Sequence, residues 1–329
     1  MKILITGGAG FLGSRLARTL LARGALDGRP IEKVVLADLA APTDGALRED
    51  PRVESRVGPL LAQTAALHAE PFDGVFHLAS AVSGECEADF DLGLRSNLDS
   101  TRALLDACRA AGSAPNSAPK LVFASSVAVF GSDPAFPLPA VVRDDTLPTP
   151  QSSYGTHKLI CEHLIADYTR KGYIDGRAAR LMTVSVRPGR PNGAASSFLS
   201  GIVREPLAGL PAICPVPADT RVVLASPSRT VAALIAVYEA SRADFGGRTA
   251  LNLPGLSLTV AEMLDALEAV AGAEVRARVR FEPDAAIAKL VLGWPAAFDS
   301  ARARRLGLVA DSDYRAVIED YLRENGRER

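Results

Sequence analysis

Short aliphatic runs and helix-period stretches take turns along the first half of the chain. Lys2–Thr6 reads as a buried strand, β-branched and uninterrupted. Phe11–Arg23 reads as a helix, because Leu12, Leu16, Leu20 and Leu21 fall on one face. Further strands are predicted at Lys33–Ala37, Val53–Val57, Gly74–Leu78, Lys120–Ser125 and Arg180–Val186. Further helices are predicted at Ala88–Ala111, with Leu92, Leu98, Leu104 and Leu105 inward, and at Ser153–Lys171. Alternation of this kind builds a parallel sheet covered by helices on both faces.

The tempo changes after about residue 187. Pro188, Pro191, Pro206, Pro211, Pro215 and Pro217 crowd a loop-rich segment. A helix near Thr230–Ala240, a strand near Thr249–Leu253 and a helix near Val260–Ala271 follow. The expected fold class is therefore α/β, a Rossmann-type doubly wound parallel sheet with a smaller C-terminal lobe. The sheet domain is expected over 1–187, with later segments near 220–254 returning to it, and the lobe is drawn mainly from 188–329. Gly112–Pro119 reads as a surface turn.

Composition narrows the function classes. The 329 residues carry 37 Lys+Arg against 38 Asp+Glu, a net charge of −1, which argues against nucleic acid as a partner. Aromatic residues are only 5%, so the core must be aliphatic. No apolar run reaches membrane-spanning length. Met1-Lys2 and the apolar residues after them loosely imitate a signal peptide, but Gly7, Gly8, Gly10 and Gly13 break up the run, which reads as a strand and a turn. Cys86, Cys108, Cys161 and Cys214 form no CxxC pair, and no histidine stands at zinc-finger spacing. Neither a disulfide framework nor a metal is expected, and a reducing cytoplasm fits best.

The chemistry begins where the first strand ends. Gly7, Gly10 and Gly13 give a GxxGxxG spacing between a strand and a helix. Glycine adopts the tight turn and lets the backbone touch a pyrophosphate. The helix N-terminus then offers free N–H groups and partial positive charge. Asp38 ends the second strand, where a carboxylate accepts from adenosine ribose hydroxyls and repels a 2′-phosphate. Leu39, Ala40 and Ala41 follow, with no arginine, so the expected cofactor is NAD rather than NADP.

Tyr154 and Lys158 stand at i, i+4 on a predicted helix and share a face. A tyrosine with its ordinary pKa near 10 is a poor base at neutral pH. A nearby lysine ammonium, with the positive nicotinamide, favours the phenolate. The phenolate then takes a proton from an alcohol as hydride leaves the adjacent carbon. Ser126 follows the fifth strand, on the carboxyl edge that faces a ligand crevice, and its hydroxyl suits the substrate oxygen.

Thr6-Gly7-Gly8-Ala9-Gly10-Phe11-Leu12-Gly13, Asp38, His77-Leu78-Ala79-Ser80, Asn97 with Thr101, Ser125-Ser126, Tyr154 with Lys158, and Arg187-Pro188-Gly189 run over nearly the whole chain. The combination resembles the extended short-chain dehydrogenase/reductase superfamily. The resemblance implies that Phe11 and Leu12 belong to the cofactor turn and that Leu78, Ala79 and Ser80 line the adenosine side of NAD. It also implies that Asn97 orders the site, Lys158 binds the nicotinamide ribose, and Pro188 lies beside the nicotinamide. Many relatives carry Gly-Asp after the third strand to meet the adenine amine. This chain has Gly58-Pro59-Leu60, which leaves Leu60 to cover the ring.

The block Arg187-Pro188-Gly189-Arg190-Pro191-Asn192-Gly193-Ala194-Ala195-Ser196-Ser197-Phe198 replaces the Arg-x-x-Asn-x-Tyr-Gly-Pro run of sugar-nucleotide epimerases. With Cys214-Pro215-Val216 and Ser226-Pro227-Ser228-Arg229-Thr230, it looks like the D-erythronate dehydrogenase family, a branch often labelled nucleoside-diphosphate-sugar epimerase. The resemblance implies oxidation of a short sugar acid at C2. Such a substrate needs hydroxyl partners, for which Ser83, Asn192, Ser196 and Ser197 are candidates beside Ser126 and Tyr154. Ser196 and Ser197 suit equally the N-cap of a helix starting at Phe198. Its carboxylate needs a cation, with Arg229 the candidate and Arg190 the runner-up. A nucleoside-diphosphate-sugar epimerase or dehydratase with bound NAD is the competing reading. A homodimer, paired through the Ala88–Ala111 and Ser153–Lys171 helices, is implied by the superfamily. His77 and Trp294 read as packed residues, and His157 and His163 are wrongly spaced to share a metal.

Overall fold

The computed structural model describes residues 1–111, 118–189 and 194–326. Most of the expected Gly112–Pro119 turn, Arg190 and Asn192 lie outside the described residues. The chain divides into two compact units. The first comprises Met1–Ser126, Ser152–Arg180 and Val231–Leu251, and the second Val127–Gln151, Leu181–Thr230 and Asn252–Arg329.

The first unit carries the main sheet. Its strands are β1 (Lys2–Thr6), β2 (Lys33–Asp38), β3 (Val53–Val57), β4 (Gly74–His77), β5 (Lys120–Ser126) and β6 (Asp175–Leu181). The order is β6-β5-β4-β1-β2-β3, with the short strand Leu251–Asn252 beyond β6. β1 pairs in parallel with β2 and β4, β2 with β3, and β4 with β5. Ile3, Leu4, Ile5, Val34, Val35, Leu36, Val75 and Phe76 are buried, as a sheet covered on both faces requires. Burying each such side chain contributes roughly 1.5–3 kcal/mol. Thr6 stands in register with Ala37 and with His77. That register brings the ends of β1, β2 and β4 to one edge, where the strand order switches direction and ligands of such sheets bind.

Two elements depart from the expected pattern. The sixth strand runs over Asp175–Leu181 rather than Arg180–Val186, and Thr183–Val184 pairs instead with Arg221–Ala225. Asp175, Arg177 and Arg180 disguise the strand as polar. They tolerate burial because each is paired. Arg177 donates to the Val237 and Tyr238 carbonyls at 2.6 Å and to Asp175 at 2.9 Å. Arg180 forks onto Glu162.

The single helix expected over Ala88–Ala111 is broken into pieces. A helix over Ser83–Ala88 ends at Asp89, whose extended backbone and side-chain acceptor for the Leu92 amide start a new one at Phe90. A π-turn over Leu94–Asp99 follows before the regular helix Ser100–Ala111. Leu104 and Leu105 are buried as expected, whereas Leu92 is exposed.

The second unit has its own core. Arg221–Ala225 pairs in parallel with Thr183–Val184 and antiparallel with Leu256–Thr259. Leu199, Ile202, Val203, Leu264, Leu267 and Ile318 are buried together, and Trp294 packs against them. The helix Val260–Ala271 has a capping box, with Thr259 and Glu262 satisfying each other's backbone amides.

Candidate active site

The glycine turn is built for contact with backbone. Gly7 adopts φ +70°, and a Cβ there would stand 2.8 Å from the Ala79 amide nitrogen. A Cβ on Gly13 would stand 2.1 Å from the Gly7 carbonyl oxygen. Gly10 occupies the N-cap position of Phe11–Arg23 and offers the first-turn amides no side chain. Asp38 accepts from the Ala9 amide at 2.9 Å and the Gly10 amide at 3.2 Å through Oδ2, and from Leu39 at 2.6 Å through Oδ1. The carboxylate thus braces the turn, a function its strand-end position alone did not disclose. A turn without side chains, a helix N-terminus and a carboxylate at the end of β2 fit the pyrophosphate and adenosine ribose of NAD.

A directed chain of hydrogen bonds lies beneath this turn. Thr101 Oγ1 donates to the Asn97 carbonyl at 2.6 Å, so it accepts from His77 Nε2 at 2.8 Å. His77 Nδ1 then accepts from Thr6 Oγ1 at 2.6 Å, and Thr6 in turn accepts from the Ala79 amide. Burial keeps this imidazole neutral, so its single proton is on Nε2. Burial, with a smaller push from Lys158, lowers its pKa to about 3. Asn97 reaches the next loop, accepting from the Ala81 amide at 2.7 Å and from Ser80 Oγ at 3.1 Å. Leu78, Ala79 and Ser80 are half-buried along the same edge.

Ser126, Tyr154 and Lys158 come together in the first unit. Ser152 caps the helix Ser153–Arg170 by accepting from the Gly155 amide, so Tyr154 sits in its first turn. Ser126 hydrogen-bonds the Tyr154 phenol. Lys158 is buried and donates from Nζ to the Ala124 carbonyl at 2.8 Å. Its Nζ lies 5.5 Å from the Tyr154 ring centroid and 4.7 Å from that of Phe123. Burial pushes Tyr154 up to about 12, against the Ser126 hydrogen bond, which pulls it down. The expectation that the ammonium governs this phenol is thus not met in the chain by itself. Lys158 points at a carbonyl and the tyrosine ring, and its own pKa is lowered by burial to about 8. Ser126 is the group that favours the phenolate.

Other candidates occupy separate places. Leu60 opens the helix Leu60–His68 and packs against the first unit's core. Ser83 opens the helix Ser83–Ala88. Pro188, Ser196, Ser197 and Arg229 belong to the second unit. Its helix begins at Ser197, one residue before the expected Phe198, and Ser196 at the N-cap position makes no side-chain cap. Arg229 is exposed, with its amide donating to Ser226 Oγ. Glu162 escaped the sequence reading altogether, although its place four residues beyond Lys158 continues the Tyr154–Lys158 spacing.

The NAD dependent epimerase/dehydratase family model matches residues 3–220. The chain belongs to this family. It is an NAD-dependent enzyme of the extended short-chain dehydrogenase/reductase type. A D-erythronate dehydrogenase from Cupriavidus necator is 49% identical over 332 residues, 99% of both chains. One from Haemophilus influenzae is 42% identical over 324 residues, covering 98% of this chain and 99% of the relative. The crystal structure of a nucleoside-diphosphate-sugar epimerase from Agrobacterium tumefaciens superposes with a TM-score of 0.92 at 42% identity, covering 100% of this chain and 95% of that one.

Proposed function

We propose that this family member oxidises the C2 hydroxyl of a short sugar acid, D-erythronate, to 2-oxo-erythronate. The observation that carries the reading is the hydrogen-bonded Ser126–Tyr154 pair with Lys158 one helical turn on. Relatives named D-erythronate dehydrogenase at 49% and 42% identity support the substrate. Gly7, Gly10, Phe11, Leu12 and Gly13 hold the cofactor pyrophosphate, and Asp38 its adenosine ribose. Leu60, Leu78, Ala79 and Ser80 flank the adenosine, Asn97 holds Ser80 in place, and Pro188 lies by the nicotinamide. Lys158 donates to the nicotinamide ribose.

Ser126 and Tyr154 hold the C2 hydroxyl. Tyr154 takes the hydroxyl proton as the C2–H bond breaks and the carbonyl forms. NAD, when bound, supplies the acceptor for the departing hydride. Asn192, Ser83, Ser196 and Ser197 serve the remaining hydroxyls, and Arg229 the carboxylate. The exposed apolar side chains Phe90, on the helix Phe90–Gly93, and Ile160, on the helix Ser153–Arg170, support a homodimer, which light scattering tests. The four cysteines are buried and free, which fits a reducing cytoplasm. Among the described residues no helix is long and apolar enough to cross a membrane.

Absorbance of NADH on mixing the protein with NAD and D-erythronate, alongside other short aldonates, tests the reading. Stoichiometric NADH with D-erythronate is expected. No NADH across the panel, with NAD retained through purification, would replace this reading by the epimerase one.

A further inference from the structure

Three consecutive residues at the end of β5 are each tied to one stripe of the helix Ser153–Arg170. Ser126 hydrogen-bonds Tyr154. The Ala124 carbonyl accepts from Lys158 Nζ at 2.8 Å. Between them Ser125 Oγ donates to Glu162 Oε1 at 2.5 Å. Tyr154, Lys158 and Glu162 recur every four residues and so lie along one helix face. Glu162 is itself clamped: Arg180 on β6 donates from Nε to Oε1 at 2.9 Å and from Nη2 to Oε2 at 2.8 Å. Ser125, Glu162 and Arg180 are 1%, 6% and 5% exposed, so these bonds are sheltered from competing water.

We propose that Ser125, Glu162 and Arg180 form a positioning device that fixes the Ser126 hydroxyl against Tyr154. The inference rests on the reading that Ser126, Tyr154 and Lys158 do the chemistry. Its physical basis is register. The strand end could otherwise slide or twist relative to the helix, and displacing Ser126 by a fraction of an ångström loosens the bond that favours the phenolate. The planar Arg180 fork holds the carboxylate in one orientation, and the carboxylate holds Ser125. None of the three needs to touch substrate.

The test compares Ser125→Ala, Ser125→Thr and Tyr154→Phe with the wild type, using NAD and D-erythronate. Ser125→Ala removes one hydroxyl and leaves the buried ion pair whole, so the fold survives. Its kcat is expected to fall on the order of tenfold to a hundredfold, the scale of a small misplacement at a reacting centre. The NAD Kd should stay unchanged, and Ser125→Thr should recover most of the loss. Wild-type kcat in Ser125→Ala beside an inactive Tyr154→Phe overturns the positioning role and leaves the catalytic reading standing. Retained turnover in Tyr154→Phe overturns both.

Discussion

His77 Nε2 donates a hydrogen bond to Thr101 Oγ1 across 2.8 Å, which sets the tautomer of an imidazole that burial keeps neutral. Its pKa in the folded protein is lowered from the ordinary 6.5 to about 3 by burial and by Lys158. The unfolded chain therefore binds the extra proton first as pH falls. Stability from this group is fully present above pH 6.5 and is lost as pH falls toward 3, at about 1.4 kcal/mol per pH unit. Urea unfolding at several pH values should show the wild type losing roughly 2 kcal/mol more than His77→Asn between about pH 6.5 and pH 5. Parallel pH dependences would mean that His77 takes up its proton without opening the Thr6–His77–Thr101 chain.

Tyr154→Phe keeps the ring and removes the proton acceptor. The phenol is raised to about 12 in the chain by itself, so its conversion to phenolate depends on partners, Ser126 first. Turnover of D-erythronate should fall on the order of 10²–10⁴-fold, the usual contribution of a positioned acid or base. The NAD Kd, read by quenching of protein fluorescence, should change little. Substantial residual turnover would assign the proton to another group.

Asp38 has two functions that one substitution separates. Its Oδ2 accepts from Ala9 and Gly10, and its charge faces whatever occupies the end of β2. Asp38→Asn keeps one acceptor oxygen for the Ala9 and Gly10 amides, gives up the acceptor for the Leu39 amide, and removes the charge that repels a 2′-phosphate. The NAD-to-NADP preference should shrink by about tenfold, since a charge-assisted bond gives way to a neutral one, while the melting temperature stays within a few degrees. A large drop in melting temperature with unchanged preference would make Asp38 a brace of the turn alone.

Much of the first unit was legible because its signals are local. The apolar run of β1, the glycine spacing and the leucine face of Phe11–Arg23 each follow from neighbours in sequence, and those elements stand where the pattern puts them. The strand Asp175–Leu181 was hidden because its polar residues are satisfied by distant partners. Arg177 meets Val237 and Tyr238, and Arg180 meets Glu162. Hydropathy reads charge, but it does not read who neutralises it. The same blindness hid Glu162, whose importance lies in Ser125 and Arg180, 37 and 18 residues away. The break at Asp89 was available as a cap signal, with an acid three residues before the Leu92 amide it accepts from. The leucine pattern running through it masked that signal.

Arg229 presents the sharpest test of the substrate. It is exposed in the first turn of the helix Pro227–Glu239, held through its amide by Ser226. An exposed arginine on a rigid helix end costs little stability to remove, so Arg229→Ala should melt within a few degrees of the wild type. If its guanidinium meets the sugar-acid carboxylate, the KM for D-erythronate should rise by about ten- to a hundredfold, matching the loss of a hydrogen bond to a charged group. The NAD Kd should not move, since Arg229 has no part in the cofactor turn. A neutral analogue, erythritol in place of erythronate, should be insensitive to the substitution if it reacts at all. An unchanged KM for D-erythronate would remove Arg229 from the site and leave the carboxylate to the runner-up cation, Arg190.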